Sequence, residues 1–241
     1  MSLEQKYTDT IICEILGLAG VGKSSLLTEL KQHNLENVGI SFSNHASYPL
    51  KLNVISKVLP VYLKILMERK VENRPVYALH NAKQDPMLIE LKNMIYLQLG
   101  IELFSRGRFL QGKRTIIFDQ GPVFKLVWLY LFGSIRYSET AMQWWHDMAN
   151  EWAKHLTRCV FLTASVPVLL ERVYNRESNH TLKTLSTKDC NHFFLDYQEA
   201  FDFIMEKHFS SQKTQHLIVN TETNDIKAVG TKVAQFIIAG G

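Results

Sequence analysis

No apolar run in the 241 residues is long enough to cross a bilayer, and cysteine and proline are scarce, three and six in all. The longest apolar stretch, Val123 to Ile135, is interrupted by Lys125 and falls short of the roughly 20 residues a spanning helix needs. Cys13, Cys159 and Cys190 are odd in number and show no C-x-x-C spacing. They point to a reducing compartment rather than a disulfide framework, and Cys13 and Cys159 read as small apolar residues within strand-like runs. Met1 to Asp9 is polar and lacks the apolar core of a signal peptide, so a cytoplasmic location is expected. The formal charge of +4 is mild, and lysine and arginine nowhere gather into a stripe. That composition argues against a nucleic-acid partner or a membrane partner. Repeats, low-complexity segments and obvious linkers are absent as well, which leaves a single domain over residues 1–241 as the economical organisation.

Gly17-Leu18-Ala19-Gly20-Val21-Gly22-Lys23-Ser24 fits G-x-x-x-x-G-K-[ST] without mismatch and follows the apolar run Ile11 to Leu16. In a strand–loop–helix setting this Walker A pattern is a cradle for a nucleoside triphosphate. Its glycines let backbone N–H groups turn inward toward an anion, and the following helix adds its positive dipole end. Lys23 is expected to reach the β- and γ-phosphates and the Ser24 hydroxyl to hold Mg²⁺. The expected contacts to ATP are therefore Gly17, Leu18, Ala19, Gly20, Val21, Gly22, Lys23, Ser24 and Ser25.

Strand-length apolar runs alternate with segments of helical period along the chain. The pattern predicts an α/β fold: a three-layer parallel sheet flanked by helices, of the P-loop NTP hydrolase (nucleotide kinase-like) architecture. Strands are predicted at Ile11–Leu16, Val38–Phe42, Arg114–Asp119, Arg158–Leu162 and His216–Asn220. Helices are predicted at Lys23–Gln32, Val54–Lys70, Met87–Gln111, Pro122–Phe132, Glu139–Leu156, Val166–Arg176, Phe193–Phe209 and Ile226–Ala239. Pro60 is expected to kink or break the second helix and Gly100 to bend the third. The polar stretch Asn175 to Thr187 resembles a flap, and a mobile lid is placed around residues 176–190.

Four strand-forming residues, Thr115 to Phe118, lead into Asp119, then the turn Gln120-Gly121-Pro122. Ligands of open α/β sheets bind outside the carboxyl ends of the strands, which points Asp119 into the crevice that holds Lys23. Its carboxylate suits two roles: holding the metal, directly or through water, and accepting the proton of an acceptor hydroxyl. Capping the Pro122 helix is compatible with either. A signalling GTPase would carry D-x-x-G and N-K-x-D, and neither occurs. Arg172 and Arg176, four apart, fall on one face of the predicted helix, where their guanidiniums can clamp a transferring phosphoryl group.

The order of these parts resembles the P-loop nucleoside and nucleotide kinases of the thymidylate kinase and deoxynucleoside kinase type. Tyr96-Leu97-Gln98-Leu99, followed by Arg106 and Arg108, looks like the helix whose glutamine reads a nucleobase edge. Val160 to Arg176 is similar to the family's strand, proline and arginine-rich helix leading into the lid, and Val219-Asn220-Thr221 to the loop beside the donor adenine. The resemblance implies transfer of the ATP γ-phosphoryl group to a small-molecule acceptor, with Lys23, Asp119, Arg172 and Arg176 catalytic, Ser24 and Asp119 on Mg²⁺, and Thr221 at the nucleotide. Asn44, His45, Gln98 and Arg106 are the implied acceptor contacts.

Two departures stand out. Gln120 occupies the place of the family's arginine, and Ser41-Phe42-Ser43-Asn44-His45 supplies no carboxylate after the second strand. Proton acceptance then falls to Asp119, and a sugar-type acceptor stays open beside a nucleoside or nucleotide. The competing expectation is a regulatory or assembly NTPase with Gln120 orienting water. The aromatic residues 123–145 could then dock a partner; a homodimer is a separate open expectation. Of Trp144 and Trp145, adjacent on a helix, at most one can line a pocket, and both are expected in core or interface.

Overall fold

The computed structural model describes residues 11–32, 40–43, 52–68, 86–105, 115–177, 180–210 and 214–238, with backbone alone at 40–43, 52 and 86. Ile11–Leu16 (β1) is buried at all six positions, as a strand covered on both faces must be. It pairs in parallel with Thr115–Asp119 (β3) on one side and Arg158–Thr163 (β4) on the other. Ile40–Ser43 (β2) extends the sheet beyond β3, and Gln215–Asn220 (β5) extends it beyond β4, all parallel, in the order β2-β3-β1-β4-β5.

Alternate residues of each strand feed two cores, one on each face. Ile12, Leu16, Ile116, Phe118 and Cys159 face one cluster. Cys13, Ile15, Ile117, Val160, Leu162 and Val219 face the other. Helices Leu52–Glu68 (α2), Pro86–Ser105 (α3), Pro122–Phe132 (α4) and Glu139–His155 (α5) pack on the first face. Lys23–Gln32 (α1), Val166–Tyr174 (α6) and Ile226–Ile238 (α8) pack on the second, and Thr187–Ile204 (α7) contributes to both. The expected three-layer parallel α/β architecture is the one observed. All three cysteines are buried free thiols, and burial pushes the Cys13 thiol up to about 12. No described helix is long and apolar enough to cross a membrane.

Several boundaries depart from the sequence reading. Pro60 does not break α2, because Val54, Val58, Tyr62 and Ile65 form one buried stripe that pins the helix on both sides of the exposed proline. The third helix continues unbroken through Gly100, where the Trp152 ring occupies the space a Cβ would need. Its predicted extension to Gln111 lies outside the described residues, as do Val38 and Gly39. The sixth helix ends at Tyr174, so Arg176 lies two residues beyond it. The seventh starts at Thr187, six residues before the predicted Phe193, with the Ser186 hydroxyl accepting from the Asp189 amide. It ends in a π turn over Met205–Phe209. Trp145 is fully buried and donates its indole N–H to the Leu126 carbonyl, so it belongs to the core.

Candidate active site

The loop between β1 and α1 has left-handed φ values at Gly17, Gly20 and Gly22, 141°, 88° and 98°. Only glycine adopts these without strain, and they wrap the backbone into a tight turn at the start of α1. The Lys23 ammonium lies inside that turn, donating to the Gly17 carbonyl at 2.6 Å and the Leu18 carbonyl at 3.0 Å. Burial pulls it down to about 8, with the Asp119 carboxylate acting against the shift and the Arg176 charge adding to it. Lys23, Asp119 and Arg176 therefore share one electrostatic neighbourhood. Ser24 and Ser25 are exposed at the first turn of α1.

Register sets Asp119 in place. Ile15 of β1 is paired with Asp119, the last residue of β3, so the carboxylate stands one strand over from the start of the phosphate loop. Gln120 then takes a φ of 56°, a left-handed backbone that is uncommon outside glycine, and its side chain is exposed. Helix α4 begins at Pro122, which has no N–H to satisfy. The next two amides, Val123 and Phe124, donate to the two oxygens of Glu14 at 2.8 and 3.0 Å.

Glu14 sits fully buried in the middle of β1, on the face that α4 covers. It caps α4 from a neighbouring strand, the work the sequence offered to Asp119, and so leaves Asp119 free of it. Burial pushes the Glu14 carboxyl up to about 8, against the pull of the Phe124 and Val123 amides and the Lys125 ammonium. Sequence reasoning passed over Glu14, and its one signal was a charged residue in an otherwise apolar strand. The cap requires Gly121, where a Cβ would come within 2.6 Å of Phe118 Cβ and 2.8 Å of the Glu14 carboxyl carbon. Gly121→Ala is expected to displace Glu14 and strand two buried amides, at about 2–4 kcal/mol of stability, measured as a fall in the urea midpoint.

Beside the loop, a cleft of about 330 Å³ is lined by Gly20, Val21, Gly22, Ser25, Arg172, Arg176 and Thr221. The wall is completed by Asn224, Ile226 and Val229, which the sequence reading did not single out. Arg172 spends its fork on Thr221, donating to the hydroxyl at 3.0 Å and the carbonyl at 2.8 Å. The Thr221 hydroxyl donates in turn to the Val21 carbonyl at 2.9 Å. This chain ties α6, the β5–α8 loop and the phosphate loop into one wall. Arg176 lines the same cleft from outside the helix.

Of the expected lid, residues 181–184 form a 3₁₀ turn and residues from Thr187 onward are already helix. Leu182, Leu185 and Cys190 are buried beneath it, and Lys183 donates to the Arg176 carbonyl. The His180 Nδ1 accepts from the Leu182 amide at 3.2 Å; burial pulls the imidazole down, and the Arg176, Lys23 and Lys183 charges add to that. Gln98 is half-buried on α3 and makes no hydrogen bond among the described residues. Asn44, His45 and Arg106 lie outside the described residues. Among the described residues no cluster of three or more His, Cys, Asp or Glu is set up to hold a metal.

No protein-family model matches the chain, and no curated protein does. Solved structures do. Deoxyadenosine kinase from M. mycoides, with products dCMP and a flexible dCDP bound, aligns at a TM-score of 0.52 and 13% identity, covering 95% of this chain and all of that one. The chain shares the fold of this kinase. The same enzyme with bound dATP gives a TM-score of 0.51 at 12% identity, over 94% of this chain and 98% of that one. With bound dCTP it gives 0.50 at 13%, with the same coverage. Of the two kinase types the sequence resembles, these structures belong to the deoxynucleoside kinases and not to the thymidylate kinases.

Proposed function

We propose that this chain is a phosphotransferase that moves the γ-phosphoryl group of ATP onto a small-molecule acceptor of the nucleoside or nucleotide kind. What supports the reading is the glycine loop folded around the Lys23 ammonium, with Asp119 ending the strand beside it and Arg176 on the wall of the adjoining cleft. Phosphoryl transfer needs little covalent help from a protein; it needs positioning and charge placed where the transition state spreads it. The loop amides and Lys23 hold the donor's β- and γ-oxygens. An acceptor hydroxyl oxygen attacks the γ-phosphorus as its proton passes to Asp119, the bond to the bridging oxygen breaks, and ADP leaves. Arg176 meets the equatorial oxygens from the lid side, while Arg172 and Thr221 hold the wall against which the nucleotide lies.

The exposed Ser24 hydroxyl and the Asp119 carboxylate are hard oxygen donors on adjacent elements, a set that fits Mg²⁺. When bound there, the ion would neutralise charge on the β- and γ-oxygens. Within the single domain of residues 1–241, closure would involve the lid expected around residues 176–190. Gln98 is the described candidate for the acceptor's edge, joined from the sequence by Asn44, His45 and Arg106.

The test is ADP release with and without a panel of nucleosides, nucleotides and sugars. Stimulation of at least tenfold by a nucleoside or nucleotide is expected. Stimulation by sugars alone would move the acceptor class. Hydrolysis indifferent to every acceptor would instead favour a regulatory NTPase, with Gln120 presenting water.

A further inference from the structure

Lys125, in the first turn of α4, is a half-buried cation that the reaction outlined above leaves unused. Its ammonium lies 5.9 Å from the centroid of the Tyr96 ring on α3 and 5.6 Å from that of Phe124. Among the described residues it makes neither a hydrogen bond nor an ion pair. Burial pulls it down to about 8, and the Glu14 and Asp119 carboxylates act against the shift. Asp119 ends β3, and only Gln120 and Gly121 separate it from α4, whose first turn carries Lys125 beside the Tyr96 ring of α3.

A desolvated cation with no carboxylate in contact costs the fold stability unless an anion completes it. The donor's phosphates belong to Lys23 and the glycine loop, and Gln120 brings no charge of its own. Glu14 cannot turn to Lys125, because both of its oxygens are held by the amides at the start of α4. The aromatic floor under the ammonium suits a ring-bearing molecule as well as the cation.

From this juxtaposition we infer that Lys125 binds an anionic group of the phosphoryl acceptor, whose hydroxyl is presented to Asp119. The substrate class is then a hydroxyl compound that already carries a phosphate ester or a carboxylate, rather than its neutral counterpart. This inference rests on the phosphotransferase reading and narrows its acceptor.

The experiment measures acceptor-dependent ADP release on matched pairs: nucleosides against nucleoside monophosphates, and sugars against sugar phosphates and uronic acids. Wild type, Lys125→Met and Lys125→Arg are compared at pH 7 and across pH 7–9. Methionine keeps an unbranched side chain of similar length at this position while removing the charge. For an anionic acceptor, Lys125→Met is expected to raise KM at least tenfold with kcat changed less than threefold and the KM for ATP unchanged. Lys125→Arg should restore KM to within about threefold. Wild-type KM for that acceptor should rise as pH passes through about 8, and the methionine variant should show no such rise.

Preference for neutral acceptors, with no movement of KM in Lys125→Met, would overturn this inference and leave the phosphotransferase reading standing. A fall in kcat that is equal for neutral and anionic acceptors would also overturn it, since the charge would then act on the transferring group. No stimulation by any acceptor would overturn both.

Discussion

Replacing Asp119 by asparagine is expected to lower acceptor-dependent turnover by about 10³-fold, within the range that general-base catalysis supplies. Asparagine keeps the volume and the position at the end of β3 but can neither take up a proton nor carry charge. Its backbone pairing with β1 is independent of the side chain, and Glu14 rather than Asp119 caps α4. The thermal midpoint should therefore move little, which separates lost chemistry from lost fold. Single-turnover measurement with saturating ATP and acceptor places the defect in the chemical step. Calorimetry with ATP, with and without Mg²⁺, should find a smaller metal-dependent gain in the variant, the signature of a carboxylate beside the ion. Wild-type turnover in Asp119→Asn would remove Asp119 from the mechanism.

Lys23→Ala is the second large effect. Turnover should fall roughly 10³-fold, about 4 kcal/mol of transition-state stabilisation, because the ammonium meets the oxygens on which charge develops. Unlike the Asp119 variant, it should also weaken ATP binding, by about thirtyfold or roughly 2 kcal/mol, the worth of a charged hydrogen bond. Burial pulls the Lys23 ammonium down to about 8, so it is charged below that pH and loses its proton above it. Wild-type affinity for ATP should consequently fall as pH rises through about 8, and Lys23→Ala should lose that dependence. Calorimetric titration at pH 7 and pH 9 checks both statements. An ATP affinity in Lys23→Ala equal to that of wild type would show that the loop does not use its lysine.

The conformation of the loop over residues 17–24 was legible residue by residue, because it depends on backbone angles that only glycine supplies and on a contiguous segment. Asp119 was legible for a related reason: a strand ending in a carboxylate before a Gly-Pro turn places itself. The arginines were half legible. Their spacing of four suggested one helix face, but the helix ends at Tyr174, and Arg176 reaches the cleft from the segment beyond it. Arg172 is in the cleft as expected, yet its guanidinium is engaged by Thr221, 49 residues away, a partner no local pattern announces. Pro60 misled because the kink rule speaks for an isolated helix, whereas α2 is held by a stripe of core contacts.

What the sequence determined by itself was a parallel α/β sheet with a glycine turn between its first strand and helix and an acid at the end of a strand. These follow from hydrophobic period, glycine positions and strand ends, all readable within about ten residues. Only the tertiary structure decided that Glu14 closes the start of α4, that Thr221 fastens Arg172 to the loop between β1 and α1, and that Lys125 lies beside the Tyr96 ring of α3. Each of these joins residues on different elements, and a buried polar group finds its partner wherever packing places one, at a separation no sequence period records.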